Sequence, residues 1–209
     1  MKKVLWIICV LGAVSTMSAQ VKLRHGLLLG GGMGSIGGVE YALKGYGTEY
    51  LSNIQIISGI SNYKYNASLG YKFRIENDES HLFYDVDFGF GLKNIDFDIK
   101  SMVDENGYTH PFQSSGSHST IDFFLCLSAN YKIYSGLYAG LGIEPTYYFH
   151  DMGRFIRIFD TPIVGKIGYD FKKIDIVLTY KKGLFNALKS NTFAKGQIND
   201  IQLQLFIPF

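Results

Sequence analysis

Residues 200–209, "DIQLQLFIPF", decide how the rest of the sequence is interpreted. Apolar side chains occupy every second position of this stretch: Ile201, Leu203, Leu205, Ile207 and Phe209. The positions between them begin with the polar residues Asp200, Gln202 and Gln204. Because successive side chains leave opposite faces of a β-strand, a period of two predicts a strand. Chain ends fray unless a neighbour holds them, so the pattern predicts a final strand paired with another strand.

The same alternation recurs along the chain. It is found in seven earlier segments, residues 23–34, 63–75, 81–93, 120–132, 137–150, 159–171 and 174–181. In the third of them, for example, Val86 and Phe88 alternate with Asp85 and Asp87. Downstream of residue 20 no run of apolar residues has the length of a transmembrane helix. The sequence therefore predicts an all-β chain of eight strands.

The connections between these segments alternate between short and long. Residues 77–80, 134–136 and 172–173 have the length of hairpin turns, whereas residues 35–61, 98–119, 151–155 and 185–198 form longer links. Short turns at one end and long loops at the other are typical of a membrane barrel. A two-sheet sandwich is the alternative, but its crossing connections fit this alternation less well. We therefore predict an eight-stranded antiparallel up-and-down transmembrane β-barrel, whose closure leaves no unpaired strand edge in lipid.

The first residues predict export. Lys2 and Lys3 precede a short apolar run, and small residues at Ser18 and Ala19 follow it. This is the pattern of a secretory signal peptide, which we predict at residues 1–19, with the barrel domain at residues 20–209. Two of the 20 Lys and Arg residues leave with the signal, so 18 face 18 Asp and Glu. The net charge of the mature chain is then zero, so the slightly basic pI of the whole chain does not indicate a nucleic-acid partner, and we predict none.

The polar face of the predicted strands carries balanced charge. Its seven cations and seven anions are Arg24, Lys64, Lys72, Arg74, Asp85, Asp87, Lys93, Asp122, Glu144, Asp160, Lys166, Asp170, Asp175 and Lys181. We predict that they form an ionic network in the lumen, while the apolar, aromatic face meets lipid. Eight strands leave room only for side chains, so a paired network that fills the lumen is favoured over a narrow water path.

Other motifs have simpler explanations. The glycines of "GMGSIG", residues 32–37, match a dinucleotide fingerprint, but no helix pattern follows them. The five histidines lack metal-ligand spacing. "GSHS", residues 116–119, suggests a hydrolase but falls in a predicted loop, and the inward group of Glu144, Tyr148 and His150 is explained by ion pairing. We therefore predict no catalytic, metal or cofactor-binding residue.

With its signal peptide, eight strands and terminal Phe209, the whole mature chain resembles the small OmpA-like and OmpX-like outer-membrane barrels, the barrel domains of the porin family. The resemblance implies location in the cell outer membrane of a Gram-negative bacterium, contact with its lipid, and a C-terminal signal recognised by the barrel-assembly machinery. The expected role is non-catalytic, structural and surface-interacting, with a candidate extracellular partner at loops 35–61 and 98–119. Alternatives are a narrow porin or hydrophobic-ligand passage and, third, a lipid-modifying enzyme.

Overall fold

A computed structural model describes residues 21–42, 55–103, 108–150, 159–185 and 193–209. The predicted signal peptide, residues 1–19, lies outside these ranges, as do parts of the predicted loops.

The described chain is built of strands. In order they are β1 Val21–Ala42, β2 Gln55–Asn77, β3 Leu82–Val103, β4 Thr109–Tyr134, β5 Leu137–Ile143, β6 Thr146–His150, β7 Phe159–Asp160, β8 Ile163–Asp170, β9 Asp175–Lys182 and β10 Phe193–Pro208. Within the described ranges, no helix has the length and apolar character needed to cross a membrane.

Ten segments make eight barrel strands because two strands are interrupted. Pro145 separates β5 from β6 and Pro162 separates β7 from β8, since proline has no N–H to donate to the ladder. The ladder continues across both breaks through proline carbonyls. Pro145 accepts from the Leu125 N–H at 3.0 Å, and Pro162 accepts from the Glu144 N–H at 2.9 Å.

The strands close into a ring in which every neighbouring pair is antiparallel. The order β3-β2-β1-β10-β9-β8-β5-β4 is completed by pairing of β3 with β4, so no edge remains at this level. The final strand pairs with the first, with Leu203 opposite Gly31 and Pro208 opposite Gly26. The predicted eight-stranded antiparallel barrel is thereby confirmed.

The three predicted hairpins are also present, and one shows why its turn is tight. Tyr134 pairs with Leu137 across a two-residue turn. Both residues of that turn, Ser135 and Gly136, have positive φ, at 30° and 92°. Such turns match the right-handed twist of the strands that they join.

The structure corrects the prediction that residues 35–61 and 98–119 are loops. β1 continues to Ala42 and β2 begins at Gln55, whereas β3 reaches Val103 and β4 begins at Thr109. Most of both ranges is therefore strand rather than loop. Their serines and glycines resemble loop composition, but pairing to a long neighbour satisfies their backbone groups whatever the side chains are. The "GSHS" residues 116–119 likewise lie in β4, with His118 opposite Ile95.

Side chains sort to the two faces of the barrel wall. Charged, amide and hydroxyl groups point into the lumen and are buried, together with a few apolar residues such as Leu28, Phe124 and Phe206, which pack together. The outer face carries large apolar side chains that remain exposed on every barrel strand. The core of this protein is thus its lumen, and that core is largely polar.

Candidate functional site: the charged lumen

Ten charged side chains near the short turns form one connected set of ion pairs, which we call the turn-side network. Its members are Arg24, Lys72, Arg74, Glu76, Asp85, Asp87, Lys132, Lys166, Asp170 and Asp175. Five cations therefore face five anions, and the network is electrically neutral. Its contacts join strands that are not neighbours in the ring, such as the Arg24–Asp170 pair between β1 and β8.

Arg74 is the centre of this network. Its guanidinium donates to both oxygens of Asp85, from Nε at 2.8 Å and from Nη2 at 3.1 Å, and Nη1 donates to Asp175. Nη2 also donates to the Tyr138 hydroxyl at 3.1 Å. Only about 1% of Arg74 is exposed. Because a buried charge is costly unless it is paired and hydrogen-bonded, these partners are what permit a guanidinium here.

Aromatic rings fill the space around the guanidinium. The Arg74 Cζ lies 4.4 Å from the ring centroid of Phe83, 5.0 Å from that of Tyr138 and 5.6 Å from that of Phe206. The negative faces of these rings favour a cation. A cavity of about 510 Å³ at the short-turn end is lined by Arg74, Phe83, Tyr138 and Lys132, among others. Salt bridges and rings together surround the guanidinium, while the cavity remains at the turn end of the lumen.

The network continues toward the middle of the barrel through lysines. Lys72 lies 3.3 Å from Asp85 and 3.6 Å from Asp87, and Lys166 donates to Asp87 at 2.7 Å and to Ser128 at 2.9 Å. Each acid at this level therefore has at least two cationic or hydroxyl neighbours. Each of these charges is compensated within the protein.

The end of the lumen toward the long links is different. There Lys93 lies 3.3 Å from both Asp122 and Asp200, Lys181 donates to Glu144 at 2.7 Å, and Asp160 has no cation within salt-bridge distance among the described side chains. Tyr148 lies under the Lys93 ammonium, 5.5 Å from Nζ to ring centroid. We call these residues the loop-side cluster: Lys93, Asp122, Glu144, Tyr148, Asp160, Lys181 and Asp200.

Buried polar atoms of the loop-side cluster lack hydrogen-bond partners. They include Asp160 Oδ2, Asp200 Oδ1 and the Tyr148 hydroxyl, and the neighbouring Asn66 and Thr120 have orphan polar atoms as well. Asn66 and Thr120 flank Lys93 on the adjacent strands β2 and β4. Buried polar groups are almost always satisfied, so these atoms indicate that water or a ligand completes the cluster.

The outer face has the opposite chemistry. Exposed apolar side chains include Leu29, Leu69, Phe90, Leu141, Ile167, Leu178 and Leu203, which come from seven strands around the ring. Tyrosine and phenylalanine lie at both ends of this surface, with Tyr131, Tyr169 and Phe171 toward the short turns and Tyr65, Tyr147 and Phe149 toward the long links. The side chains of Tyr63 and Phe155 lie outside those described.

The ring closure brings the chain end into one of these aromatic groups. The N–H of Phe209 donates to the His25 carbonyl at 3.0 Å, and the Phe209 ring lies 6.2 Å from that of His25 and 6.3 Å from that of Tyr71. His25 Nδ1 and the Tyr71 hydroxyl are hydrogen-bonded at 2.6 Å. The final strand is therefore held against β1 along its whole length, up to its last residue, Phe209.

Comparison with known proteins adds distant structural likenesses. The sequence matches no protein-family model and no curated protein sequence. The chain is similar to the outer membrane protease OmpT from Escherichia coli, with 10% identity, a TM-score of 0.39 and coverage of 93% of this chain and 99% of that chain. It is also similar to the translocator domain of the autotransporter NalP from Neisseria meningitidis, with 9% identity, a TM-score of 0.31 and coverage of 94% and 92%. Likenesses this distant carry no argument about activity.

Most charges that the sequence assigns to the lumen lie in the two groups described above. Arg24, Lys72, Arg74, Asp85, Asp87, Lys166, Asp170 and Asp175 belong to the turn-side network, and Lys93, Asp122, Glu144, Asp160 and Lys181 to the loop-side cluster. Arg24 and Asp170 are partly exposed at the turn end. The side chain of Lys64 lies outside those described.

Sequence reasoning missed three charged members and the aromatic filling. The turn-side network also contains Glu76 and Lys132, and the loop-side cluster also contains Asp200. The sequence pattern placed Asp200 on the polar face but gave it no ion pair. Phe83, Phe124 and Phe206 point inward among the charges. The alternation along β3 could have revealed the inward position of Phe83, because Phe83 is spaced by two residues from Asp85 and therefore lies on the same face as Asp85 and Asp87.

The enzyme candidates acquire no catalytic arrangement among the described atoms. The Glu144 carboxylate is engaged by Lys181, and the Tyr148 hydroxyl has no partner that would act as a base. The side chains of His118 and His150 lie outside those described. Within the described residues, no group of three or more His, Cys, Asp and Glu side chains is arranged to hold a metal ion.

Proposed function

We propose that the protein is an integral outer-membrane β-barrel with a closed lumen and a non-catalytic role: it stabilises the membrane and presents the ends of its longest hairpins to partners outside. The observation that carries this proposal is the combination of an apolar outer face with a neutral network of ion pairs inside. In water, the exposed leucines and phenylalanines of the outer face would be an aggregation liability, whereas lipid covers them. The lipid of the outer membrane is thus its first partner.

The closed state is supported by the balance of the turn-side network. Five cations and five anions neutralise one another, and three aromatic rings surround Arg74. An ion crossing the lumen would have to separate buried pairs, which is strongly unfavourable. An eight-stranded ring is also just wide enough for side chains to fill.

Conductance tests this proposal directly. The chain is refolded in detergent, its folding is verified by heat-sensitive gel migration, and it is inserted into a planar lipid bilayer. We expect no current steps from the folded protein. Discrete steps that scale with salt concentration would contradict a closed lumen and would make passage the leading function.

A narrow passage is the second candidate, and one observation favours it. Buried polar atoms without hydrogen-bond partners occur in the loop-side cluster and also in the turn-side network, at Asp87 Oδ1 and Asp175 Oδ1, so water is expected at both levels of the lumen. Exchange of Arg74 for Met distinguishes the two cases. In a closed barrel it lowers stability, whereas in a channel it also changes ion selectivity.

A surface-interaction role is supported by the unequal strand lengths. β1 to β4 contain 22, 23, 22 and 26 residues, whereas β9 contains 8. Residues 109–119 of β4 pair with β3 alone among the described residues. Within the part of the chain that the structure describes, the other edge of residues 109–119 is therefore available for pairing, and it lies within the range 98–119, where an extracellular partner is expected. Such a partner would add a strand to this edge. Cross-linking from Ser115→Cys on intact cells tests it: capture of a cell-surface partner is expected, and the absence of any adduct opposes the role.

We also propose that the terminal Phe209 is part of a signal for the barrel-assembly machinery, together with Ile201, Leu203, Leu205 and Ile207. The side chain of Phe209 is 74% exposed, so it is available to a second protein. Replacement of Phe209 by Ala should lower the amount of folded barrel in the outer membrane of cells but leave refolding in detergent unchanged. Equal loss in both settings would indicate a purely structural role.

A further inference from the structure

The outer wall of the barrel has a groove that crosses β4, β5, β8 and β9. Its volume is about 690 Å³, whereas a second groove on the same wall, beside Gly31, measures about 310 Å³. Small residues form the floor of the larger groove: Ala129 on β4, Ala139 on β5 and Gly165 on β8. A Cβ at Gly165 would meet no atom within 4 Å, so the space above this residue is open. The groove is therefore a gap in the layer of large side chains on the outer face.

Strand register sets the width of the groove. Ala139 pairs with Tyr131 on one side and with Ile167 on the other. These two large residues stand on strands that are two strand spacings apart, roughly 10 Å. A carbon atom between two walls needs about 3.5–4.0 Å to the atoms on each side. The gap above Ala139 therefore has the width of one hydrocarbon chain, and Gly165 makes the same gap between its own two cross-strand neighbours.

The side chains that rise beside the groove are apolar. Leu141 is 71% exposed, because both of its cross-strand neighbours, Ala129 and Gly165, are small. Apolar surface of this kind is unfavourable in water, and the groove lies on the face that the proposed function places in lipid. Water does not fill an apolar recess, since it finds no hydrogen-bond partners there. Hydrocarbon is therefore the occupant that the chemistry of the groove favours.

The shape of the wall favours a lipid chain over a second copy of the protein. The outer face of a closed ring of strands is convex, so two barrels touch along a narrow line, and a side chain of a second barrel would enter the groove at one point only. The small floor residues are staggered on three successive strands of the ring, β4, β5 and β8. A chain with rotatable bonds can follow this course along its length.

The groove reaches the short-turn end of the barrel. Leu82, the first residue of β3, and Tyr131 line it there, and the Tyr131 ring lies 5.6 Å from the ring of His81 in an exposed short turn. Tyrosine is typical of the level of the lipid headgroups, and the short turns of outer-membrane barrels face the periplasm. A chain in the groove therefore belongs to a lipid of the leaflet on the short-turn side.

We propose that this groove binds one acyl chain of a phospholipid from that leaflet and holds it more tightly than the rest of the outer face holds lipid. Dispersion contacts with Leu141, Ile167 and Leu178 stabilise the chain along its length, and the glycine and alanine floor lets it approach the backbone. The inference rests on the proposed function, because the outer face must lie in lipid.

An introduced tryptophan can report on one place, because residues 20–209 contain no tryptophan. Tyr180→Trp places the reporter beside the groove, and Leu69→Trp places one on β2, where it lines neither groove. Each variant is refolded in micelles of an uncharged detergent and titrated with phosphatidylethanolamine whose acyl chains are brominated, since bromine quenches tryptophan fluorescence on contact. We expect quenching of Tyr180→Trp to saturate with one-to-one stoichiometry. Quenching of Leu69→Trp should rise only in proportion to the lipid fraction of the micelles.

The decisive variant is Gly165→Leu, which fills the groove, and Gly31→Leu is its matched control in the smaller groove. A Cβ at either position meets no atom within 4 Å, so both variants are expected to fold, which heat-sensitive gel migration verifies. In the Tyr180→Trp protein, Gly165→Leu should raise the lipid concentration for half-maximal quenching at least about tenfold. Gly31→Leu should leave that concentration unchanged.

Three outcomes overturn the inference. Quenching that is merely proportional to lipid at both reporters, or a titration curve unchanged by Gly165→Leu, would mean that the groove holds lipid no better than the rest of the wall. A dimer that Gly165→Leu dissociates in sedimentation would make a second copy the occupant. Vesicles of the brominated lipid separate this inference from the proposed function: quenching at neither reporter there would contradict the lipid-facing surface itself.

Discussion

The guanidinium of Arg74 and the carboxylate of Asp85 form a two-point hydrogen bond inside the lumen, with Nε to Oδ1 at 2.8 Å and Nη2 to Oδ2 at 3.1 Å. The two residues lie directly opposite each other on β2 and β3. Arg74 then reaches across the lumen to Asp175 on β9. A single side chain thus joins adjacent strands and the far wall.

Replacement of Arg74 by Met should be strongly destabilising, because it leaves the Asp85 and Asp175 carboxylates without their main partner. A loss of about 3–5 kcal/mol in the free energy of unfolding is expected for one broken buried pair. The midpoint of urea unfolding in lipid vesicles measures it. Lys182→Met removes an exposed cation from β9 and serves as the control, with little expected change. Equal effects of the two variants would mean that the network does not hold the barrel together.

Gly91 makes room for the carboxylate of Asp122. A Cβ at residue 91 would lie 2.5 Å from Asp122 Oδ1 and 2.8 Å from Oδ2, so Gly91→Ala must displace that side chain from Lys93. We expect a loss of stability of about 1–3 kcal/mol, the usual cost of overpacking. Gly165→Ala is the matched control, because a Cβ there meets no atom within 4 Å. If unfolding midpoints show both variants to be equally stable, the crowding argument is wrong.

Leu203 tests whether the outer face meets lipid. Its side chain is 58% exposed on the outward face of β10. Leu203→Arg should cost about 2–4 kcal/mol in a bilayer if the residue lies near the midplane, because a charge there is removed from water. Glu79→Arg on a short turn should be tolerated. Unfolding in vesicles compares the two, and an unaffected Leu203→Arg barrel would argue against a lipid-facing surface.

Cys126 reports on the integrity of the lumen. It is 1% exposed and points inward from β4. A chain lacking residues 1–19 has Cys126 as its one thiol. We expect no reaction with a water-soluble maleimide in the folded protein and complete labelling after unfolding in urea. Rapid labelling of the folded barrel, measured by mass spectrometry, would reveal water beside β4 and contradict a filled lumen.

Several features of the fold were predictable because they depend on local spacing. The alternation of Val86 and Phe88 with Asp85 and Asp87 assigned two faces to β3, and short polar links predicted the hairpins. The extents of β1 to β4 were predicted too short. Serine and glycine dominate stretches such as residues 114–119, and their strand structure depends on a long partner rather than on their own propensity.

The sequence alone determined the number of barrel strands, their alternating faces and the near balance of charge on the inner face. These features follow from the alternation of apolar and polar residues, which is a local property of each segment. Only the tertiary structure decided which charges meet. Arg24 and Asp170 are 146 positions apart, and Arg74 and Asp175 are 101 apart, yet each pair is hydrogen-bonded because closure brings opposite strands together. Closure also divided the described charges into a turn-side network and a loop-side cluster. No local pattern encodes that division, because it depends on which strands face each other across the ring.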